Sequence, residues 1–358
     1  MTGNKGEWSE IYVLFKLLAD GELYAANEHL EKIPTIFYPI IKVIRDEISG
    51  KWEYYRNGSI KIVDAGTGEE IKNIPTKAFK KNAKFLLNEI IQSETRTFSV
   101  PKVEKFMRSI KCETIKANSQ EKRDITIMVH DLRTGLKPTL GFSIKSQLGS
   151  ASTLLNASKS TNFIYKVEGL KDKYIDKINS IKSRGKIKER VEEIEKRGGK
   201  FKFIRINREK FELNLKLIDS KLPEILGELL LSYFRGEGTQ LAELIINITE
   251  KNPCNFNLEH THPFYQYKIK NLLTDIALGM TPTSIWNGFY DATGGIIIIR
   301  EDGEVLCYHI YNRNEFQEWL VKNTKLETSS SSRHDYGKLY KKDGSIFFRL
   351  NLQIRFTN

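Results

Sequence analysis

Cysteine is scarce in this chain of 358 residues. Cys112, Cys254 and Cys307 lie far apart with no paired spacing. That excludes a disulfide framework and a zinc knuckle, and fits the reducing cytoplasm of a bacterium. Long apolar runs are missing too. The N-terminus starts polar, and no stretch is apolar for long enough to span a bilayer, so a membrane role is not expected. Gly66-Thr67-Gly68 is followed by no third glycine and no Gly-Lys-Ser/Thr, which excludes a phosphate loop. No repeat at solenoid spacing is present. His260 and His262 stand two apart without a third ligand nearby, too little for a metal site. Acid is short relative to base: 45 Asp and Glu against 57 Lys and Arg leave a net charge of +12. Such a balance favours a polyanionic partner, nucleic acid first and an anionic membrane second. Hydrophobic content of 40% and charged content of 28% are ordinary for a globular protein, and the length suffices for two domains.

What is present centres on residues 123–145. Arg123-Asp124-Ile125-Thr126-Ile127-Met128-Val129 alternates polar and apolar residues and is rich in β-branched types, the pattern of a half-buried strand. Gly135 and Pro138 mark a turn, and Leu140-Gly141-Phe142-Ser143-Ile144-Lys145 resumes as a second strand. Paired as a hairpin, these strands bring Asp124 beside Ser143 and Lys145, because side chains alternate at period two. A carboxylate beside an ammonium suits metal-assisted phosphodiester cleavage: the acid holds a divalent cation that acidifies water, and the ammonium stabilises developing charge. A plain cross-strand ion pair is the competing interpretation of the same residues.

Residues 4–19 carry a helical stripe of Trp8, Ile11, Tyr12, Leu14, Phe15 and Leu18, with Gly21 placed to end the helix. Glu7 and Glu10 fall in its first turns, where they complement the helix dipole. Asp124 followed 19 residues later by Ser143-Ile144-Lys145 resembles the D…(D/E)xK signature of the PD-(D/E)XK nucleases. Ser143 stands where that family carries Asp or Glu, and Arg123 rather than Pro precedes Asp124. Lys5-Gly6-Glu7-Trp8-Ser9-Glu10 is similar to the KGxxxE opening of the first helix in several of these nucleases, where the final Glu reaches the metal. The resemblance therefore implies Asp124 and Glu10 as ligands of Mg²⁺, Lys145 as the catalytic cation, and Ser143 acting through water. Glu94, Glu104 and Glu113 are spare carboxylates.

Short β runs separated by turn signals over about 22–75 read as a β meander, and residues 75–92 and 100–106 as helices. The stretch 118–122 reads as a polar loop leading into Asp124. After Lys145, residues 146–163 are dense in Ser, Thr and Asn, types that position phosphates as readily as they cap helices. Ser146, Gln147, Ser150, Asn156 and Ser158 are thus candidate DNA contacts. Residues 171–210 mix Lys and Arg with Glu and Asp at helical spacing and read as one or two exposed helices stopped by Gly198-Gly199. Helices follow over 222–249, broken near Gly236, and over 264–280 and 314–321. Hairpins are expected about Asp302-Gly303 and Asp343-Gly344. The serine run ending in Arg333-His334 reads as an exposed tip with base-reading chemistry, since Arg pairs bidentately with guanine.

The run 141–162, taken with the opening helix and with Leu350-Asn351-Leu352-Gln353-Ile354-Arg355-Phe356, looks like the HpaII-type restriction endonucleases over most of the chain. That resemblance implies an α/β (α+β) fold with a PD-(D/E)XK core: a mixed sheet flanked by helices at 1–165, and a mixed helical and β-hairpin half at 166–358 for DNA recognition and dimerisation. It also implies Mg²⁺-dependent cleavage of double-stranded CCGG between the two cytosines, a homodimer at least on DNA, and a cognate DNA methyltransferase in the host. The rival readings are a non-catalytic basic nucleic-acid-binding protein and a repair or junction nuclease without sequence specificity.

Overall fold

The computed structural model describes residues 1–116 and 122–357. Its strands in chain order are β1 (Glu22–Ala26), β2 (Lys32–Glu47), β3 (Gly50–Asn57), β4 (Ser59–Asp64), β5 (Glu70–Pro75), β6 (Ile125–Val129), β7 (Thr139–Ser146), β8 (Thr153–Leu155), β9 (Asn162–Glu168), β10 (Lys200–Ile206), β11 (Gly295–Ile299), β12 (Val305–His309), β13 (Thr324–Leu326), β14 (Leu339–Lys342), β15 (Ser345–Asn351) and β16 (Ile354–Phe356). The helices are α1 (Lys5–Asp20), α2 (Thr76–Gln92), α3 (Pro101–Ser109), α4 (Ile175–Asn179), α5 (Lys186–Lys196), α6 (Glu209–Ile218), α7 (Leu222–Arg235), α8 (Leu241–Lys251), α9 (Phe264–Leu278), α10 (Arg313–Lys322) and α11 (Ser331–His334). The architecture is mixed α/β, and no described helix is long and apolar enough to cross a membrane.

A nine-stranded sheet in the order β1-β12-β11-β7-β6-β2-β3-β4-β5 forms the middle layer. It is mixed: β11 runs parallel to β7 and β1 parallel to β12, while β6 and β7 are antiparallel. Strands β2 to β5 form an antiparallel meander whose first strand also pairs with β6, so the meander is continuous with the sheet that carries the hairpin. That sheet also crosses residue 165, because β11 and β12 come from the second half of the chain. Alternation gives each strand two faces. Phe142, Ile144, Ile297 and Ile299 pack with α1 and α2, and Ile296, Ile298, Leu306 and Tyr308 pack with the helices of the second half.

Helix α1 explains its own position. Asn4 and Glu7 form a reciprocal capping box at its start, and Gly21 closes it in the left-handed region at φ 82°. Between them Trp8, Ile11, Val13, Phe15 and Leu18 are sealed from solvent. Burying several such side chains contributes roughly 1.5–3 kcal/mol each, which holds the helix hard against the sheet and sets the height of Glu10.

One expectation needs correcting. Residues 200–206, placed within exposed charged helices by their charge pattern, form β10, the edge of a four-stranded sheet β10-β9-β15-β14. Phe201 and Phe203 alternate there and pack on Tyr165 edge to face, so aromatic packing outweighs the surrounding charge. Helix α5 in the same stretch buries Ile187, Val191 and Ile194. The polar loop expected over 118–122 lies, apart from Lys122, outside the described residues.

Candidate active site

The hairpin register puts Ile125 opposite Phe142, so Asp124, one residue before β6 begins, comes level with Ser143. The Ile144 backbone N–H donates to Asp124 Oδ2 at 2.7 Å, and the Ser143 hydroxyl donates to the same oxygen at 3.1 Å. The Asp124 carboxylate therefore replaces a ladder rung where the two strands part. Lys145 lies two residues along the same face. Its Nζ donates to Ser143 Oγ at 2.9 Å and to the Ile144 carbonyl at 3.2 Å. Ser143 is buried and joins the acid to the amine.

Glu10 reaches the same place from α1. It lines a cleft of ≈ 940 Å³ together with Asp124, Lys145, Lys5, Glu94, Arg96 and residues 148–153. The neighbouring Ser9 hydroxyl donates to Ser146 Oγ at 2.9 Å, which pins this turn of α1 to the end of β7. Burial, and then the charge of Asp124, push the Glu10 carboxyl up to about 8, while Lys116, Arg45 and Lys145 pull the other way. Glu10 Oε2 is buried with no hydrogen-bond partner. Two carboxyls that repel each other, one with an orphaned oxygen, fit a divalent cation between them. Among the described residues no group of three or more His, Cys, Asp or Glu gathers as a metal cluster. Two carboxylates match a cation such as Mg²⁺, which keeps waters and takes substrate phosphate oxygens as further ligands.

The family profile of the HpaII restriction endonuclease matches residues 4–356. The chain is 47% identical over 356 residues to the type II restriction enzyme HpaII of Haemophilus parainfluenzae, across 99% of this chain and 98% of that one. This chain belongs to the HpaII restriction endonuclease family. It is a site-specific endonuclease that acts on double-stranded DNA. A purely binding role is thereby set aside, as is a repair nuclease. No solved structure matches the chain.

Within this family member, the other sequence candidates fall in three places. Ser150 lines the cleft, as does Ser146, whose hydroxyl also accepts the Leu148 N–H at 3.2 Å. Gln147 follows on, with its N–H on the Ile299 carbonyl at 2.9 Å. Asn156 is exposed, while the Ser158 hydroxyl is used to cap the turn at Ser160. Arg333 is exposed and His334 half-buried on α11. The structure joins these last two groups. Buried Asn351 donates from Nδ2 to the Ser158 carbonyl at 2.8 Å and to Asn162 Oδ1 at 2.7 Å, and Asn162 donates to the His334 carbonyl at 2.8 Å. Of the spare carboxylates only Glu94 lines the cleft. Glu104 pairs with the Met1 amino group at 2.6 Å, and Glu113 accepts the Ser49 N–H at 3.1 Å.

Sequence reasoning did not find Lys122. Its Nζ donates to the carbonyls of Ile276 and Met280 near the end of α9. Burial, then the charge of Lys145, push its ammonium down to about 8, which places it close to the reacting centre. A lone lysine in a basic chain carries no sequence signal of this kind. Lys5 and Arg96, the cations of the cleft wall, were equally hidden among 57 basic residues.

Proposed function

We propose that the chain cuts double-stranded DNA at CCGG between the two cytosines, with Mg²⁺ as cofactor, and acts as a homodimer on its palindromic site. The observation that carries the reading is the convergence of Asp124, Ser143, Lys145 and Glu10 in one cleft, from three separate stretches of sequence. The printed identity of the HpaII enzyme, at 47% over nearly the whole chain, supports the CCGG assignment. The strand-parting Asp124, the Ser143-x-Lys145 pair on the antiparallel neighbour and the packed α1 support a PD-(D/E)XK core. In this reading residues 1–165 are the nuclease core and 166–358 the recognition and dimerisation half, lending β11 and β12 to the core sheet.

Asp124 and Glu10 would hold the cation, and what it supplies is Lewis acidity toward water and neutralisation of phosphate charge. The chain does the rest. Asp124 is held in one orientation by the Ile144 N–H and the Ser143 hydroxyl. Lys145, tethered by two hydrogen bonds, keeps its ammonium at the cleft, where it orients the attacking water and stabilises charge on the pentacoordinate phosphorus. Ser143 occupies the position of a third ligand and acts through water. Lys5 and Arg96 meet backbone phosphates, and Ser146, Gln147, Ser150, Asn156, Ser158, Arg333 and His334 are the candidate DNA contacts. A cognate methyltransferase in the same bacterial cytoplasm protects the host's own sites.

The test is phage DNA incubated with the protein and Mg²⁺, followed by sequencing of the ends. Discrete fragments ending in C/CGG are expected. Fragments ending at another sequence would overturn the specificity, and cleavage unaffected by EDTA would overturn the cofactor.

A further inference from the structure

Residues 281–292 connect α9 to β11, and they are held in order. Asn214 of α6 donates from Nδ2 to the carbonyls of Thr281 at 3.1 Å and Ser284 at 2.9 Å, and its Oδ1 accepts the Trp286 N–H at 3.1 Å. Trp286 stacks on Tyr290, and the Tyr290 hydroxyl donates to Asp275 Oδ1 at 2.8 Å. This ordered loop turns Ile285 and Phe289 outward, 77% and 75% exposed. On α6, Leu213 and Leu217 flank the Asn214 clasp one turn apart and are 55% and 59% exposed. A contiguous apolar face on an ordered surface marks a contact site.

The other side of the loop leans on the reacting centre. Asp291 Oδ2 accepts the Lys122 N–H at 3.2 Å, and the Thr293 hydroxyl accepts the Gly141 N–H at 3.1 Å. Lys122 lies two residues before Asp124, and Gly141 two before Ser143.

Charge argues against DNA as the occupant. Residues 281–292 contain no Lys or Arg, in a chain with 57 of them, whereas an element facing phosphates carries cations. Stoichiometry argues for another copy of the chain. Each chain brings one Asp124, Glu10 and Lys145, and a duplex has two strands to cut. The two-fold symmetry of a palindrome is met by a self-complementary face.

We propose that a second copy of this chain docks on the face made by Leu213 and Leu217 of α6 and by Ile285 and Phe289 of the 281–292 loop, bracing the lead-in to Asp124. The inference rests on the homodimer reading above and adds its surface.

Sedimentation of the full chain on a CCGG duplex in EDTA tests it, comparing wild type with Leu217→Asp/Phe289→Asp and with Ile48→Asp, an exposed apolar control on the β2–β3 turn. Two chains per duplex are expected for wild type and control, and one for the double variant. With Mg²⁺ the variant should linearise supercoiled plasmid at least about tenfold more slowly and accumulate nicked circles. A variant that still seats two chains per duplex, or a wild type that seats one, overturns the proposal. If the double variant does not fold, hydrogen exchange of the wild type decides. Protection at 213–217 and 281–292 must rise when the duplex is added, and unchanged exchange overturns the proposal. A wild type that cuts CCGG as a monomer would sink this surface alone, whereas no cutting at CCGG would sink the reading beneath it.

Discussion

Replacing Glu10 with Gln should stabilise the metal-free protein at neutral and alkaline pH while crippling cleavage. The carboxyl is buried on one oxygen, has no partner there, and is pushed from 4.5 to about 8, by burial first and Asp124 second. Between those values the native state holds a proton that the unfolded chain has lost. Stability therefore falls as pH rises from about 4.5 toward 8 and levels off above. Each unit of that window is worth at most about 1.4 kcal/mol. Screening of a residue that is only partly shielded cuts the total to roughly 2–3 kcal/mol. Gln is isosteric with protonated Glu and has no such dependence. Urea unfolding of both proteins in EDTA from pH 4.5 to 9 measures the difference, which should start near zero and grow in favour of Glu10→Gln to a plateau near pH 8. A constant difference across that range, or a variant less stable than wild type at pH 8, would refute the argument that Glu10 is an uncompensated acid awaiting a cation.

The remaining predictions concern the hairpin. Asp124→Asn keeps an acceptor for the Ile144 N–H and should unfold close to wild type, yet cleave at least about 100-fold more slowly. Asp124→Ala also strands that buried N–H and should lose a further 1–3 kcal/mol or so in urea unfolding. Lys145→Ala should abolish cleavage while leaving binding of a cognate duplex in Ca²⁺ or EDTA nearly intact by gel shift; near-normal turnover would remove Lys145 from the site. Ser143→Asp adds a third carboxylate beside Asp124. It should lower the melting temperature in EDTA, and millimolar Mg²⁺ should raise the melting temperature more than it does for wild type. A variant indifferent to Mg²⁺ would mean that position 143 does not face the cation.

The local pieces of the site were legible in the chain itself. Period-two alternation over residues 123–129 and 140–145 encodes the two strands, and Asn4, Glu7 and Gly21 encode the limits of α1, because caps and alternation are properties of a few consecutive residues. The pairing of Asp124 with Ser143 and Lys145 follows from those strands and the turn between them. What consecutive residues could not encode was anything settled by packing from afar. Strand β10 hides in a charged stretch because its fate depends on Phe201 and Phe203 meeting Tyr165, a partner more than thirty residues away. The central sheet takes β11 and β12 from residues 295–309, so neither half of the chain builds it alone. Lys122 became part of the site only when the end of α9 came round to meet its ammonium. Above all, the sequence determines that Glu10 is an acid near a helix start, and only the tertiary structure decides that it is a buried one beside Asp124. The carboxyl's chemistry is set by how much water and how many charges surround it, and those are supplied by strands more than a hundred residues along the chain.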